Sequence, residues 1–591
     1  MKKTILNLFF GLLSATVATA AEKPNIVLVM TDDQGYGDLA CHGNPYVKTP
    51  NIDQLSSESV NLQDFHVFPT CSPTRAALMT GHWANRTGVW HTINGRSLLR
   101  KNEVTLASML NKAGYETGIF GKWHLGDSYP FRPEDKGFSY TFYHGAGGVG
   151  QTPDAWNNDY FTGHYRHNGK LTKVDGFCTD VFFDESHKFI KQCVEEKKPF
   201  FAYIASNAPH LPLLAPQEYL DQYKDQPDDL AAFYGMITNI DDNVGETRKF
   251  LKELGIYENT IFIYMTDNGS AHGSEAYNAG MQGKKDSPYD GGHRVPFMLH
   301  YPAKGMTSKR EIKTLTHVVD LAPTLLELCG VEKDSSVEFD GVSITSLLEG
   351  KTDGWKNRYV ITDSQRVVDP IKWRKSSVMI QDWRLVNGEE LYNIVEDPAQ
   401  QNNLAKKHPE KLELLRSYYD EWWNELEPTY AETAEFILGS DKAKVVTLNG
   451  HDWIQKNLPP WNQSHIRGLK KFVTKDFEGF WAVEVETPGK YNLACFRWDP
   501  QAKAPITSSL PAQPDRPGVG KPYCAYPGQA LDIKEVVIEV DGKEIGRKPV
   551  TTKDVSVSLE AELAKGKQKI SAYFILADGK QVGVPYCTFT K

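Results

Sequence analysis

The chain has 591 residues, 40% hydrophobic and 11% aromatic, with a formal net charge of −9. That length holds two or three domains with sizeable cores, so a mainly disordered chain is excluded. The negative balance argues against a general nucleic-acid binder but leaves room for a local basic pocket that takes an anion.

Residues 1–20 read as a processing signal rather than as fold. Lys2 and Lys3 precede an apolar run, Ile5 to Val17, too short to span a bilayer in the ordinary way, and Ala18-Thr19-Ala20 offers a cleavage site. The expected product is exported and soluble, periplasmic or extracellular, without a membrane span. PNIVLVMTDDQG (24–35) then runs an apolar strand into two aspartates, and NTIFIYMTDNGS (259–270) repeats the pattern. Strands apolar on both faces suit the centre of a mostly parallel sheet. TPNIDQLSSES, EVTLASMLNKAG, TDVFFDESHKFIKQ and DLAAFYGMITNIDDNVGETRKFLKELG carry helical periodicity, and YETGIFG and PFFAYIA read as further strands. This alternation predicts an α/β domain over 22–354, with ligands at the carboxyl ends of the strands.

Within that domain, FPTCSPTRAALMTG (68–81) predicts a helix with Ser72 as N-cap and Pro73 in the first position. Cys71 then lies just off a helix N-terminus, where an anion is favoured, and Arg75 can fold back towards it. From 355 to 428 short antiparallel strands and a charged helix near 409–425 predict a small α+β subdomain that closes the catalytic part. From 429 to 591, alternating strands with PG, DG and KG turns predict a β-sandwich-like appended domain, in which Trp453, Trp461, Trp481 and Trp498 read as core. The eight cysteines are too loosely spaced for a disulfide framework or a CxxC zinc site; buried free thiols with one or two bridges are expected.

Asp32-Asp33 alone would pass for turn formers. With Asp267-Asn268 at the end of a matching strand, the oxygens can meet around one hard cation, Ca²⁺ or Mg²⁺ rather than zinc. Lys122 and His124 follow one predicted strand, His210 another, and Lys284-Lys285 precede a glycine turn. Each has a structural reading, as cap or surface charge, yet all fall at strand exits of one domain.

Together these residues resemble the type I, formylglycine-dependent sulfatases of the alkaline phosphatase superfamily. Cys71-Ser72-Pro73-Thr74-Arg75 matches the C-x-P-x-R maturation motif. Gly121-Lys122-Trp123-His124, Pro209-His210, Thr266-Asp267-Asn268-Gly269 and Lys285 ahead of Tyr289-Asp290-Gly291-Gly292 also match, over roughly residues 22 to 425. The resemblance implies a mixed, mostly parallel sheet sandwiched by helices. It implies that a maturation enzyme oxidises Cys71 to Cα-formylglycine, and that Asp32, Asp33, Asp267 and Asn268, with residue 71, hold one Ca²⁺. It further implies that a hydroxyl of the hydrated aldehyde attacks sulfur, with Asp267 taking its proton. Arg75, Lys122 and Lys285 clamp the sulfate, His210 protonates the departing alcohol, and His124 takes the second hydroxyl's proton so that sulfate leaves.

An exported sulfatase with a β appendage points to sulfated saccharides: glycosaminoglycan, mucin or algal galactan fragments. Sugar sites want aromatic and polar loops. The stretches 89–100, 155–170 and 366–375 offer His91, Arg100, His164, Arg166, His167, Lys372 and Arg374, although HYRHNG also reads as a plain hairpin with an Asn-Gly turn. Two other readings stay open on sequence: a phosphodiesterase or phosphonate hydrolase on the same scaffold, and a catalytically silent glycan-binding protein.

Overall fold

The computed structural model describes residues 23–352, 355 and 357–591. The expected export signal at 1–20 lies outside the described residues, as do 353, 354 and 356 at the expected edge of the closing subdomain. No helix among the described residues is long and apolar enough to cross a membrane.

A ten-stranded sheet organises the catalytic part. Its order is Arg310–Ile312, Val60–Leu62, Phe297–His300, Thr260–Thr266, Asn25–Thr31, Phe200–Ala205, Glu116–Lys122, Tyr140–His144, Thr162–His167 and Lys170–Asp175. The five strands from Thr260–Thr266 to Tyr140–His144 run parallel, and antiparallel pairs flank them on both sides. Side-chain alternation explains the sandwich. Ile26, Leu28 and Met30 share one buried layer with the Cys71–Thr80 and Leu106–Lys112 helices. Val27 and Val29 face the other layer, made by Pro50–Ser57, Cys178–Glu195 and Asp228–Glu253. The fold is thus mixed and mostly parallel, covered by helices on both faces, as a sheet buried on two sides requires.

The two echoing strands are direct neighbours. Thr31 pairs with Thr266 in register, so Asp32-Asp33 and Asp267-Asn268 leave the sheet side by side at its carboxyl edge.

Four antiparallel strands, Tyr359–Asp363, Ser376–Ile380, Trp383–Val386 and Glu390–Asn393, follow. The Pro409–Leu426 helix covers them and buries Leu415, Tyr419, Trp422 and Leu426 in the first layer's core. The appended part has two sheets. A six-stranded one includes Phe436–Leu438, Trp481–Val485, Ile533–Val540 and Gly566–Leu576; a four-stranded one joins Val445–Asn449, Tyr586–Thr590, Gly489–Phe496 and Val557–Leu563. Pro488-Gly489 therefore carries the chain from one sheet to the other instead of closing a hairpin. Trp453 and Trp481 sit in the shared core and Trp498 is buried nearby, whereas Trp461 is only half-buried, against His465 and Tyr523.

Two expectations are corrected. The catalytic helix begins at Cys71 with Thr70 as N-cap, two residues earlier than Ser72 and Pro73 suggested. A proline in the third helical position is tolerated because the first-turn N–H groups have no intrahelical acceptor to lose. No disulfide forms: all eight cysteines are free. Cys495 and Cys587 lie opposite each other on paired strands with their sulfurs 3.9 Å apart.

Candidate functional site

The carboxyl edge of the central strands gathers nine of the predicted side chains into one buried network. Asp32 and Asp33 follow one strand, Asp267 and Asn268 its partner, Lys122 ends the Glu116–Lys122 strand, and His210 follows Phe200–Ala205. Ligand atoms of Asp32, Cys71 and Asp267 all lie within 4.8 Å of one another. Lys122 Nζ donates to Asp32 Oδ2 at 2.7 Å, with both side chains fully buried. Arg75 donates to Asp267 Oδ2 through Nε (3.1 Å) and Nη2 (2.8 Å), and through Nη1 to the Lys122 carbonyl (3.0 Å) and the Tyr203 hydroxyl (3.3 Å). Lys285 Nζ reaches Asp33 Oδ2 at 2.7 Å and Cys71 Sγ at 3.7 Å. His210 Nε2 stands 3.7 Å from Asp33 Oδ2. Lys284 instead points outward to Glu275, at 3.1 Å.

Backbone geometry serves the site. Asp33 (φ 67°) and His124 (φ 60°) occupy the left-handed region, rare for side-chain-bearing residues and tolerated where the surroundings fix it. Gly121 has φ 106°, and a Cβ there would come 2.1 Å from the Ala205 carbonyl oxygen. Only glycine lets the Lys122 strand end approach its neighbour this closely.

Electrostatics divide the acids. Burial pushes the Asp33 carboxyl up, but Lys285, His210 and Lys122 outweigh it and hold it well below the usual range. Burial and then Asp32 raise Asp267 to about 6, against Arg75 and Lys122. Burial pushes the Cys71 thiol up to about 12 despite both lysines. A plain thiol here stays protonated at neutral pH and is a poor nucleophile.

The donor set fits a hard divalent cation. Asp32 Oδ1 and Asn268 Oδ1 are buried with no hydrogen-bond partner among the described residues, a costly state unless something positive completes them. Carboxylate and amide oxygens from two adjacent strand ends are the ligands Ca²⁺ or Mg²⁺ takes.

The lysine loop is held from the closing subdomain. Arg384 donates to Asp64 (2.6 Å) and Asp290 (3.3 Å), and Tyr289 donates to Glu390 (2.8 Å). Asp286 receives Lys375 at 2.6 Å. These ties position Lys285 from across the domain.

Comparison with known proteins decides the family. The sulfatase family model matches residues 24–331, more than half of the chain, and a model of the N-sulphoglucosamine sulphohydrolase C-terminal region matches 283–422. The chain belongs to the sulfatase family. Mouse N-acetylgalactosamine-6-sulfatase is 31% identical over 375 residues, covering 58% of this chain and 70% of that protein. An arylsulfatase of Clostridium perfringens (strain 13 / Type A) is 28% identical over 476 residues, covering 67% and 93%. Among solved structures, Ps i-CgsB in complex with k-i-k-neocarrahexaose superposes with a TM-score of 0.63 at 28% identity, covering 70% of this chain and 95% of that one. The protein is a sulfuric ester hydrolase with the alkaline phosphatase-type fold. The two family matches end at residues 331 and 422, both before the appended domain.

The sulfatase scatters the predicted sugar residues. His91 is buried, and Arg366 N–H donates to the Trp90 carbonyl at 3.3 Å, so the loops 89–100 and 366–375 do meet. Arg100 does not reach out for a sugar: its guanidinium donates to the Arg86 and Thr429 carbonyls and ties the 89–100 loop to the segment after the Pro409–Leu426 helix. His164 and His167 lie on an outer hairpin, closed by Asn168-Gly169 with both residues at positive φ. There His167 packs on Tyr140 and Phe142 and faces Glu185. Arg166, opposite Tyr143, lines a separate cleft of about 330 Å³ between the two domains. Lys372 pairs with Asp420 at 2.7 Å on the covering helix, and Arg374 donates to the Gln365 carbonyl.

Sequence reasoning missed Tyr203, His144 and His451. Tyr203 looked like one more apolar strand residue. His144 ends the Tyr140–His144 strand with its Nε2 buried and unpartnered; its place at a strand exit was the available signal. His451 comes from the appended domain and carried no motif.

Proposed function

We propose that this sulfatase cleaves sulfate esters of saccharides outside the cytoplasm, at Cys71 converted to formylglycine, with one Ca²⁺ held by Asp32, Asp33, Asp267 and Asn268. One observation carries the reading. Oxygen ligands with two unpartnered buried oxygens and three cations, Arg75, Lys122 and Lys285, converge on position 71. The metal would supply Lewis-acid polarisation, and the hydrated aldehyde at residue 71 would supply the hydroxyl nucleophile.

The remaining work falls to the protein's own groups. Lys122, Lys285 and Arg75 offset the charge of sulfate oxygens seated at residue 71, a fixed electrostatic frame rather than covalent help. Asp267, beside residue 71, accepts the first proton. His210 Nδ1 is held by the Leu211 carbonyl at 2.8 Å, which leaves Nε2 to hand a proton to the departing sugar oxygen. Burial lowers this imidazole to about 3 in the unliganded site, with Asp33 opposing; a bound sulfate ester adds a negative charge that raises it. His124 Nε2 donates to the Thr92 carbonyl at 2.9 Å, so its unpartnered Nδ1 is the base that accepts the proton released as sulfate leaves.

The test compares protein co-expressed with a formylglycine-generating enzyme and protein made without it. Sulfate release is measured by ion chromatography from N-acetylgalactosamine 6-sulfate, k-i-k-neocarrahexaose and 4-nitrophenyl sulfate, with bis(4-nitrophenyl) phosphate alongside. The mass of the tryptic peptide containing residue 71 reports conversion. Matured, calcium-loaded protein that frees no sulfate from the sugars refutes the proposal, and faster turnover of the phosphodiester reassigns the ester.

A further inference from the structure

A turn of the appended β domain packs against the catalytic domain beside His124. Its short turn Gly450–Asp452 follows the Val445–Asn449 strand and is fixed at both ends: the Asn449 side chain accepts from the His451 N–H (3.0 Å), and Gly450 N–H donates to the Pro585 carbonyl (2.7 Å). The His451 carbonyl accepts from Asn94 N–H at 3.0 Å, locking the turn to the catalytic loop that carries His91. The His451 side chain is almost wholly buried, and its ring lies 6.3 Å from that of His124, centroid to centroid.

We infer that His451 is a specificity-determining residue of this sulfatase, whose Nε2 accepts a hydrogen bond from a hydroxyl of the sulfated sugar. The inference rests on the saccharide reading above and deepens it.

The hydrogen bonds fix the tautomers. His451 Nδ1 lies 2.8 Å from Asp452 Oδ1, so Nδ1 carries the proton and Nε2 presents a lone pair. Among the described residues nothing answers that buried Nε2. His124 is in the complementary state: its Nε2 donates to Thr92, and its buried Nδ1 also lacks a partner. His91 Nδ1 accepts the Thr92 N–H at 2.7 Å, so its Nε2 is a donor. Burial holds His91 and His124 below their ordinary range, which keeps both neutral. With His124 Nδ1 kept for proton transfer, His451 and His91, from two domains, offer one acceptor and one donor. A polyol supplies one hydroxyl that donates to His451 Nε2 and another that accepts from His91 Nε2. An aryl sulfate has none to offer.

Other contacts make this placement deliberate rather than incidental to packing. Gln463 of the appended domain donates to the Ala155 carbonyl at 2.9 Å and caps the loop 145–160. That loop brings Gly147 against His124, where a Cβ would come 2.2 Å from the ring. Gly518–Val519 adds a strand to Leu213–Leu214, just past His210. The appended domain therefore braces both candidate proton-transfer histidines and adds one more imidazole beside them.

The experiment uses matured full-length protein and the variants His451→Leu, His451→Gln and Asp452→Asn. Leucine removes the acceptor, whereas glutamine keeps one in Oε1. Asparagine at 452 offers its amide N–H to Nδ1, which turns Nε2 from acceptor to donor. Steady-state sulfate release is compared on k-i-k-neocarrahexaose, N-acetylgalactosamine 6-sulfate and 4-nitrophenyl sulfate, with bound calcium and thermal midpoints as controls. The leucine and asparagine variants should raise KM for the accepted sugar about 10-fold, with 4-nitrophenyl sulfate kcat/KM changed less than about 2-fold. Glutamine should recover most of the sugar KM. Equal losses on sugar and aryl ester, or no change on either, overturn the inference; where the leucine variant does not fold, Asp452→Asn decides. Wild-type protein that cleaves the aryl ester but no sulfated sugar overturns the saccharide reading itself, and this inference with it.

Discussion

Replacing Lys285 by methionine removes one charge from the sulfate clamp while keeping an unbranched side chain only one atom shorter. Lys285 Nζ sits 2.7 Å from Asp33 Oδ2 and 3.7 Å from Cys71 Sγ, the atom whose place the reacting oxygen would take. Two unit charges about 4 Å apart interact by about 4 kcal/mol at the effective dielectric of a partly screened site. Loss of one preorganised positive group should therefore cost about 10²–10³-fold in kcat, the range seen when a single oxyanion donor is removed. The loss should fall on kcat more than KM, because charge on the bridging oxygen grows towards the transition state. Lys284→Met is the internal control: its Nζ faces Glu275 at 3.1 Å on the exposed side of the loop, so its kcat should stay within about 2-fold of wild type. The assay is initial-rate release of 4-nitrophenol from 4-nitrophenyl sulfate, with calcium content measured on the same samples. The reasoning fails if Lys284→Met is as damaged as Lys285→Met, if Lys285→Met retains more than about a tenth of wild-type kcat, or if the loss merely follows loss of calcium.

Three further outcomes follow from the same geometry. Chelating the cation should abolish activity and lower the apparent Tm, and adding Ca²⁺ should reverse both, because Asp32, Asp33 and Asp267 then lose the charge that offsets them; differential scanning fluorimetry with and without EDTA reads the shift. Arg384→Leu leaves Asp64 and Asp290 buried without their shared partner, which should cost about 3–5 kcal/mol of stability and loosen the Lys285 loop; Arg384→Lys should not rescue it, since one ammonium cannot reproduce the fork. Asp154 is raised to about 7 by burial, with the Gly150 and Gly145 N–H groups opposing. Its folded form binds a proton that the unfolded chain, with an ordinary carboxyl near ~4, does not. Its contribution to stability is present below pH ~4 and is lost as pH rises towards about 7. Asp154→Asn should flatten the fall of Tm between pH 5 and 7, by up to about 1.4 kcal/mol per pH unit; parallel melting curves at each pH would contradict this.

Much of the site was legible because strand ends and short motifs carry local chemistry. The central strands, the helices between them, and the acids and lysines at their exits could all be read from apolar runs ending in Thr-Asp and from the C-x-P-x-R stretch. Position was less visible where no local rule governed it. Ser72 and Pro73 are good helix starters, yet Thr70 caps the helix and the first turn begins two residues earlier. Arg100 read as a sugar contact and is instead consumed by two carbonyls distant in sequence. The choice of Lys285 over Lys284 rested on motif spacing, and the loop's ties to Ser270 and Pro69 show which lysine turns inward.

The sequence by itself determined which residues could bind a hard cation and an anion, since that depends on side-chain type at strand exits and on the buried strands that precede them. It also determined the change in texture after residue 428, because strand periodicity is local. Only the tertiary structure decided which side chains meet. The in-register pairing of Thr31 with Thr266 fuses two acidic strand ends into one ligand set. The docking of a domain with no recognisable motif brings His451 beside His124, across more than three hundred residues. Contacts of that range are set by how whole layers pack and by where loops must close, and neither leaves a periodic mark in the chain.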